Sequence, residues 1–268
     1  MAITKDDIKR EDLVYSMLRQ VIIRADFTSM LDTDKIVMLL NEQKWFEGTF
    51  NNYSRLQFVD NDGTKKQYDV TELPRNYVRR FDDCNIFPER RVVLDITDES
   101  LCMDIQCDEH YTIINEYLSL FIQTLCYIIE NDNYVKLRRL AIRKIDGEKL
   151  PNGDDADKVF EYFDQRITNL EDDAFWQRSY TDIFLYGKRN VKVNYTRNVK
   201  ITQTEDNCII FTIDIDTYID SEMITKPRPP KDDLFDIFFD RLNESTFELF
   251  KRGVTLDFLI SKMRKHGR

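Results

Sequence analysis

The run Leu140-Ala141-Ile142-Arg143 repeats the pattern of Val21-Ile22-Ile23-Arg24 at a spacing of 119 residues (143 − 24), and each run reads as a strand. A second correspondence follows close behind. DTDKIVMLLNEQ from Asp32 lies over DADKVFEYFDQ from Asp155, with Asp34-Lys35 on Asp157-Lys158 at a spacing of 123 (157 − 34). Both read as helices opened by an aspartate near the N-cap, where a carboxylate accepts from free N–H groups and meets the positive end of the helix dipole. The four extra residues fit the Pro- and Gly-containing turn GEKLPNGD, a natural insertion point.

Each half then passes through strand-like runs. In the first they are YSRLQFV, the region around KKQYDV, and RVVLDI into SLCMDIQC; in the second, SYTDIFLYG, NVKVNYTRNVKITQT and NCIIFTIDIDTYI. Asn61 to Gly63 marks a hairpin turn. Both halves end in an amphipathic helix. Tyr117, Leu118, Leu120, Phe121 and Leu125 align with Leu234, Phe235, Ile237, Phe238 and Leu242 at a spacing of 117 (234 − 117). The expected fold is therefore α+β: two tandem β-α-β-β-β-α pseudo-repeats, residues 1–132 and 133–268, with antiparallel sheets each covered by amphipathic helices. The sheets would meet edge to edge as one continuous sheet or face to face, and a short C-terminal helix, TLDFLISKMRKHGR, would follow Gly253.

Composition narrows the function classes. A formal charge of −10, with 39 basic and 49 acidic residues, disfavours a general nucleic-acid binder, whose affinity comes from clustered Lys and Arg. Arg79-Arg80, Arg90-Arg91 and Lys136 to Lys144 are the local basic candidates, each interleaved with acidic or apolar residues. No apolar run approaches the roughly 20 residues of a membrane span, and the N-terminus MAITKDDIKRED is charged, so a cytoplasmic protein without membrane contact is expected. The five cysteines, Cys84, Cys102, Cys107, Cys126 and Cys208, form no C-x-x-C pair and read as free thiols. Cys102, Cys107 and His110 are close in sequence, but two strand positions five apart point to opposite faces.

Few residues offer chemistry. Asp214 and Asp216 of IDID share a strand face and could flank a metal ion, although the outward face of an amphipathic strand is the plainer reading. In the repeat they lie over Asp104 and Gln106 at a spacing of 110 (213 − 103, counted from Met103). His110 and His266 have no nucleophile arranged with them, and there is no glycine-rich phosphate loop. Arg24 and Arg143, with Arg138 and Arg139 beside the second, could pair with acids such as Asp26 or Asp146, or could bind an anion between the lobes. Trp45 and Trp176 each follow the first helix of a half and read as core anchors.

The strand RRLAIRKID, together with IIFTIDIDTYI followed by LFDIFFDRLNESTFELFKRGVT, resembles a sporadically distributed, largely uncharacterised bacterial protein family found in mobile and defence-rich gene neighbourhoods. Asn243 stands where that family commonly has His, and the usual Pro-rich entry to the N-terminal strand is lacking, so no role of that histidine carries over. The resemblance implies an intracellular accessory protein of an anti-phage or toxin-related system.

Two functional readings follow. The preferred one is a non-catalytic binding or scaffold module recognising a protein partner, with homo-oligomerisation as a further association and no cofactor. The alternative is an enzyme or sensor for a phosphorylated or nucleotide-like ligand in the cleft between the lobes, using Arg24, Arg139 and Arg143, with Asp214 and Asp216 holding a divalent ion.

Overall fold

The computed structural model describes residues 3–13, 17–47, 50–56, 78–83, 92–107, 114–150, 177–186, 191–203, 209–224, 226 and 228–263. The sequence readings at Asn61 to Gly63, KKQYDV, Arg90-Arg91, His110, the helix from Asp155, Trp176 and His266 lie outside these residues.

Nine antiparallel strands form one sheet. They are β1 (Leu18–Phe27), β2 (Phe50–Leu56), β3 (Val78–Asp83), β4 (Val92–Ile96), β5 (Ser100–Gln106), β6 (Leu137–Leu150), β7 (Gln177–Tyr186), β8 (Val191–Gln203) and β9 (Ile209–Asp220). Their order across the sheet is β2-β3-β4-β5-β1-β6-β9-β8-β7. The α+β class holds, and of the two expected arrangements the continuous sheet is the one formed, because β1 and β6 pair with each other at its centre. Among the described residues four strands follow the first helix before α3 where three were expected, and β3 lies in the Arg79-Arg80 segment, whose charges mask a strand pattern.

Helices line one face. Thr33–Asn41 (α1) and Lys44–Glu47 (α2) follow β1; Ile114–Asn131 (α3) follows β5. After β9 come Lys231–Phe235 (α4), a π-helical stretch Asp236–Asn243, Glu244–Gly253 (α5) and Leu256–Lys262 (α6). In α3 the buried positions Ile114, Tyr117, Leu118, Phe121, Leu125 and Ile128 recur at three and four residues, so one stripe faces the sheet. Asp32 caps α1 by accepting from Lys35 N–H at 3.1 Å. Asp32→Ala is expected to cost about 1 kcal/mol in urea denaturation, since it orphans that donor on an otherwise unchanged helix.

Strand alternation sorts the rest. Val21, Ile23 and Ala25 of β1, and Leu140 and Ile142 of β6, are buried beneath the helices, with Ile23 directly opposite Ile142. Above them Phe121 of α3 and Phe238 of the π-helical stretch meet edge to face, ring centres 5.4 Å apart, both fully buried. Thr217 ties sheet to helix from β9, its Oγ1 2.8 Å from Thr246 Oγ1, while Thr246 donates to Leu242 O at 2.6 Å. The N-terminal segment packs on the helices of the second half: Arg10 donates to Asn243 O at 2.9 Å, Lys251 to Ile8 O at 3.2 Å, and Leu13 bridges to Met263.

Candidate functional site on the outer sheet face

Directly opposed residues of antiparallel strands share a face. Four rows cross the centre of the face away from the helices. Ser100, Asp26, Arg139 and Asp220 form the first, and Asp95, Cys102, Arg24, Ala141, Tyr218 and Asn194 the second. Val93, Asp104, Ile22, Arg143, Asp216 and Thr196 form the third, and Gln106, Gln20, Ile145, Asp214 and Asn198 the fourth. Most of these side chains are half-buried by their own neighbours, while Arg24, Arg143 and Gln106 are exposed.

All five predicted site residues, Arg24, Arg139, Arg143, Asp214 and Asp216, therefore stand together on one surface. Each arginine holds an aspartate of this surface. Arg24 Nε donates to Asp26 at 2.6 Å, and Arg139 donates to Asp216 at 2.6 Å while also lying 3.9 Å from Asp26. Arg143 holds Asp214 with two parallel bonds of 2.7 and 2.5 Å, the bidentate geometry that makes arginine a specific carboxylate partner. Arg139 also lies over the Tyr218 ring, 4.6 Å from its centre. Hydrogen bonding to Asp214 helps hold Arg143 above its usual value, and burial pushes Asp216 up against the pull of Arg139.

Arg24–Asp26 is one of the pairings the sequence offered. Arg143–Asp146 is not formed, because Asp146 sits on the opposite face of β6 and Arg143 turns to β9. Since β1 and β6 are hydrogen-bonded neighbours, the arginines lie on a continuous sheet surface and not in a cleft between lobes. A divalent ion at Asp214 and Asp216 would have to displace two guanidinium groups, and among the described residues no group of three His, Cys, Asp or Glu side chains is placed to hold a metal. Cys102 stands opposite Arg24, yet burial pushes its thiol up to about 12, which leaves it a poor nucleophile at neutral pH. The ladders also set a register unlike the 110-residue spacing read from sequence: Asp216 faces Arg143 as Cys102, not Gln106, faces Arg24.

The charge of the surface is lopsided. Across β4, β5, β1, β6 and β9 it carries Asp26, Asp95, Asp104, Asp214, Asp216 and Asp220 against Arg24, Arg139 and Arg143. In these central rows six carboxylates against three guanidinium groups leave an excess of three negative charges beside apolar Ile22, Ala141 and Ile145, and exposed Lys192 and Lys200 of β8 flank the rows on the same face.

Sequence reasoning missed a second set of residues on the helix side. Lys144 and Asp146 are buried there at 6% and 8% exposure, with Arg10 and Asn243 beside them. A signal was present, since Lys144 has the same strand parity as Leu140 and Ile142.

No family model matches the chain, and no curated protein matches it. Among solved structures it is similar to the Methanococcus jannaschii TBP at 10% identity and a TM-score of 0.25, over 73% of this chain and 85% of that one. It is also similar to DynU16, a protein from the dynemicin biosynthetic locus, at 13% identity and a TM-score of 0.23, over 74% of this chain and 86% of that one. Likenesses this slight carry no argument, and the reading below rests on the chain's own residues. No helix among the described residues is long and apolar enough to cross a membrane.

Proposed function

We propose that the chain is a non-catalytic intracellular binding module whose outer sheet face docks a basic, lysine- or arginine-rich segment of a protein partner. The observation that carries this reading is the excess of aspartates in the central rows of a broad face from which helices are absent among the described residues. A surface of that charge repels nucleic-acid phosphates and attracts cationic segments, while Ile22, Tyr218 and Ile145 supply apolar contact between the charges. Because the three arginines already serve aspartates, the alternative of a phosphorylated ligand has less support. The family resemblance supports placing the module as an accessory component of an anti-phage or toxin-related system.

An internal duplication into residues 1–132 and 133–268 fits the same face. If Arg24 is equivalent to Arg143, the pairings Ile22–Arg143 and Arg24–Ala141 exchange under a two-fold rotation about Ile23–Ile142. Phe121 and Phe238, which correspond at the 117-residue spacing (238 − 121), touch each other as residues beside such an axis would. A duplicated sheet joined edge to edge gives a binding surface twice as wide as either half.

The test is native mass spectrometry of the protein purified in mild salt from its own cells, without nuclease. A stoichiometric protein partner that dissociates as salt is raised is expected, and Asp104→Lys/Gln106→Lys, which cancels the excess of three charges, should lose it. Asn41→Lys/Glu42→Lys, an equal charge change at the exposed end of α1, should retain it. A nucleotide or metal on a free monomer, or a partner indifferent to the face variant, would contradict the proposal.

A further inference from the structure

On the helix side of the sheet, a cavity of about 60 Å³ lies between the N-terminal segment, β6, α5 and α6. Its walls are mainly apolar: Leu13, Met17, Ile114, Phe250, Phe258 and Leu259 line most of it. At one side stand Lys144 and Asp146, two residues apart on β6, with Arg10 and Lys262 near the rim.

Lys144 is the unusual element. Its ammonium has three donors and is buried, yet a single acceptor serves it among the described residues, Asn243 Oδ1 at 2.5 Å. The acceptor is placed by the end of the π-helical stretch, a type of helix irregularity often found where a fold builds a site. Arg10 reaches the same turn, donating to Asn243 O and lying 3.4 Å from Glu244. Buried charge without a full set of partners is costly, and a bound anion would supply both the charge and the acceptors.

We propose that this cavity is a binding site for a short-chain carboxylate, its carboxylate oxygens accepting from Lys144 and its tail lying against Phe250, Phe258 and Leu259. Size sets the chain length. At about 10–15 Å³ for each water-sized position, the space holds about four to six non-hydrogen atoms, the range that includes butyrate. The cavity lies on the opposite side of the sheet from the acidic face, so this site and the docking proposal stand or fall separately.

The test follows the Leu, Ile and Met methyl resonances of the full chain as butyrate is added, with butylamine and butanol as equally long cationic and neutral probes. Butyrate is expected to move the methyls of Leu13, Met17, Ile114 and Leu259 saturably, in the millimolar range or tighter. The other two probes should bind on the order of tenfold more weakly, and Lys144→Met should weaken butyrate by a similar factor. Leu259→Phe, which fills the space and leaves Lys144 in place, should abolish the shifts, and it tests the site even if Lys144→Met does not fold. Equal responses to all three probes, no saturable response, or shifts confined to the outer sheet face would overturn the assignment.

Discussion

Phe121→Ala and Phe238→Ala are each expected to lose about 3–5 kcal/mol of unfolding free energy in urea denaturation, enough to remove much of the stability of an ordinary domain. Both rings are fully buried and meet edge to face where α3 crosses the π-helical stretch, so truncating either opens a cavity between these two helices. The ring pair contributes about 0.5–1.5 kcal/mol beyond area burial. The double variant should therefore fall short of the summed single losses by a comparable amount. Full additivity would mean that the two helices are not coupled through these rings.

The buried pair on β6 gives the second large effect. Lys144→Met/Asp146→Leu, which replaces two buried titratable groups by apolar ones, is expected to be neutral or stabilising by about 1–4 kcal/mol at neutral pH. Burial pushes Asp146 up to about 7, so the folded chain keeps a proton that the unfolded chain releases. Its contribution to stability is full below the ordinary value of 3.8 and is lost as pH rises to about 7. Burial lowers Lys144 well below 10.5, and its contribution runs the other way: present above 10.5 and lost as pH falls toward the lowered value. Denaturation midpoints measured across these windows should show both slopes in the native chain and neither in the double variant.

Much of the architecture was legible because it is written in short-range patterns. The three- and four-residue spacing in α3 and the alternation in β1, β6 and β9 mark buried stripes directly. Nothing in the sequence chose edge-to-edge pairing of β1 with β6 over stacked sheets. β3 was harder to see, because Val78–Asp83 carries two arginines and two aspartates in six residues and shows little apolar alternation.

The candidate site was half legible. Arg24, Arg139, Arg143, Asp214 and Asp216 were found by residue type, and strand parity put Asp214 and Asp216 on one face, but the gathering of all five and their pairing depend on which strands are neighbours. That information is long-range: Arg143 meets Asp214 only because β9 returns to lie beside β6. The helix-side residues were missed for the opposite reason. Lys144 reads as part of a basic run from Lys136, and only its parity with Leu140 and Ile142 shows that it points inward.

The most direct measurement is carboxyl footprinting of the protein, free and in its purified complex, with a water-soluble carbodiimide and an amine label. Docking on the outer sheet face predicts that Asp104 and Asp220 lose labelling in the complex while exposed Glu42, at the end of α1, and Glu130, on α3, label as before. Unchanged labelling of Asp104 and Asp220 together with protection of Glu42 or Glu130 would place the partner on the helices and contradict the account.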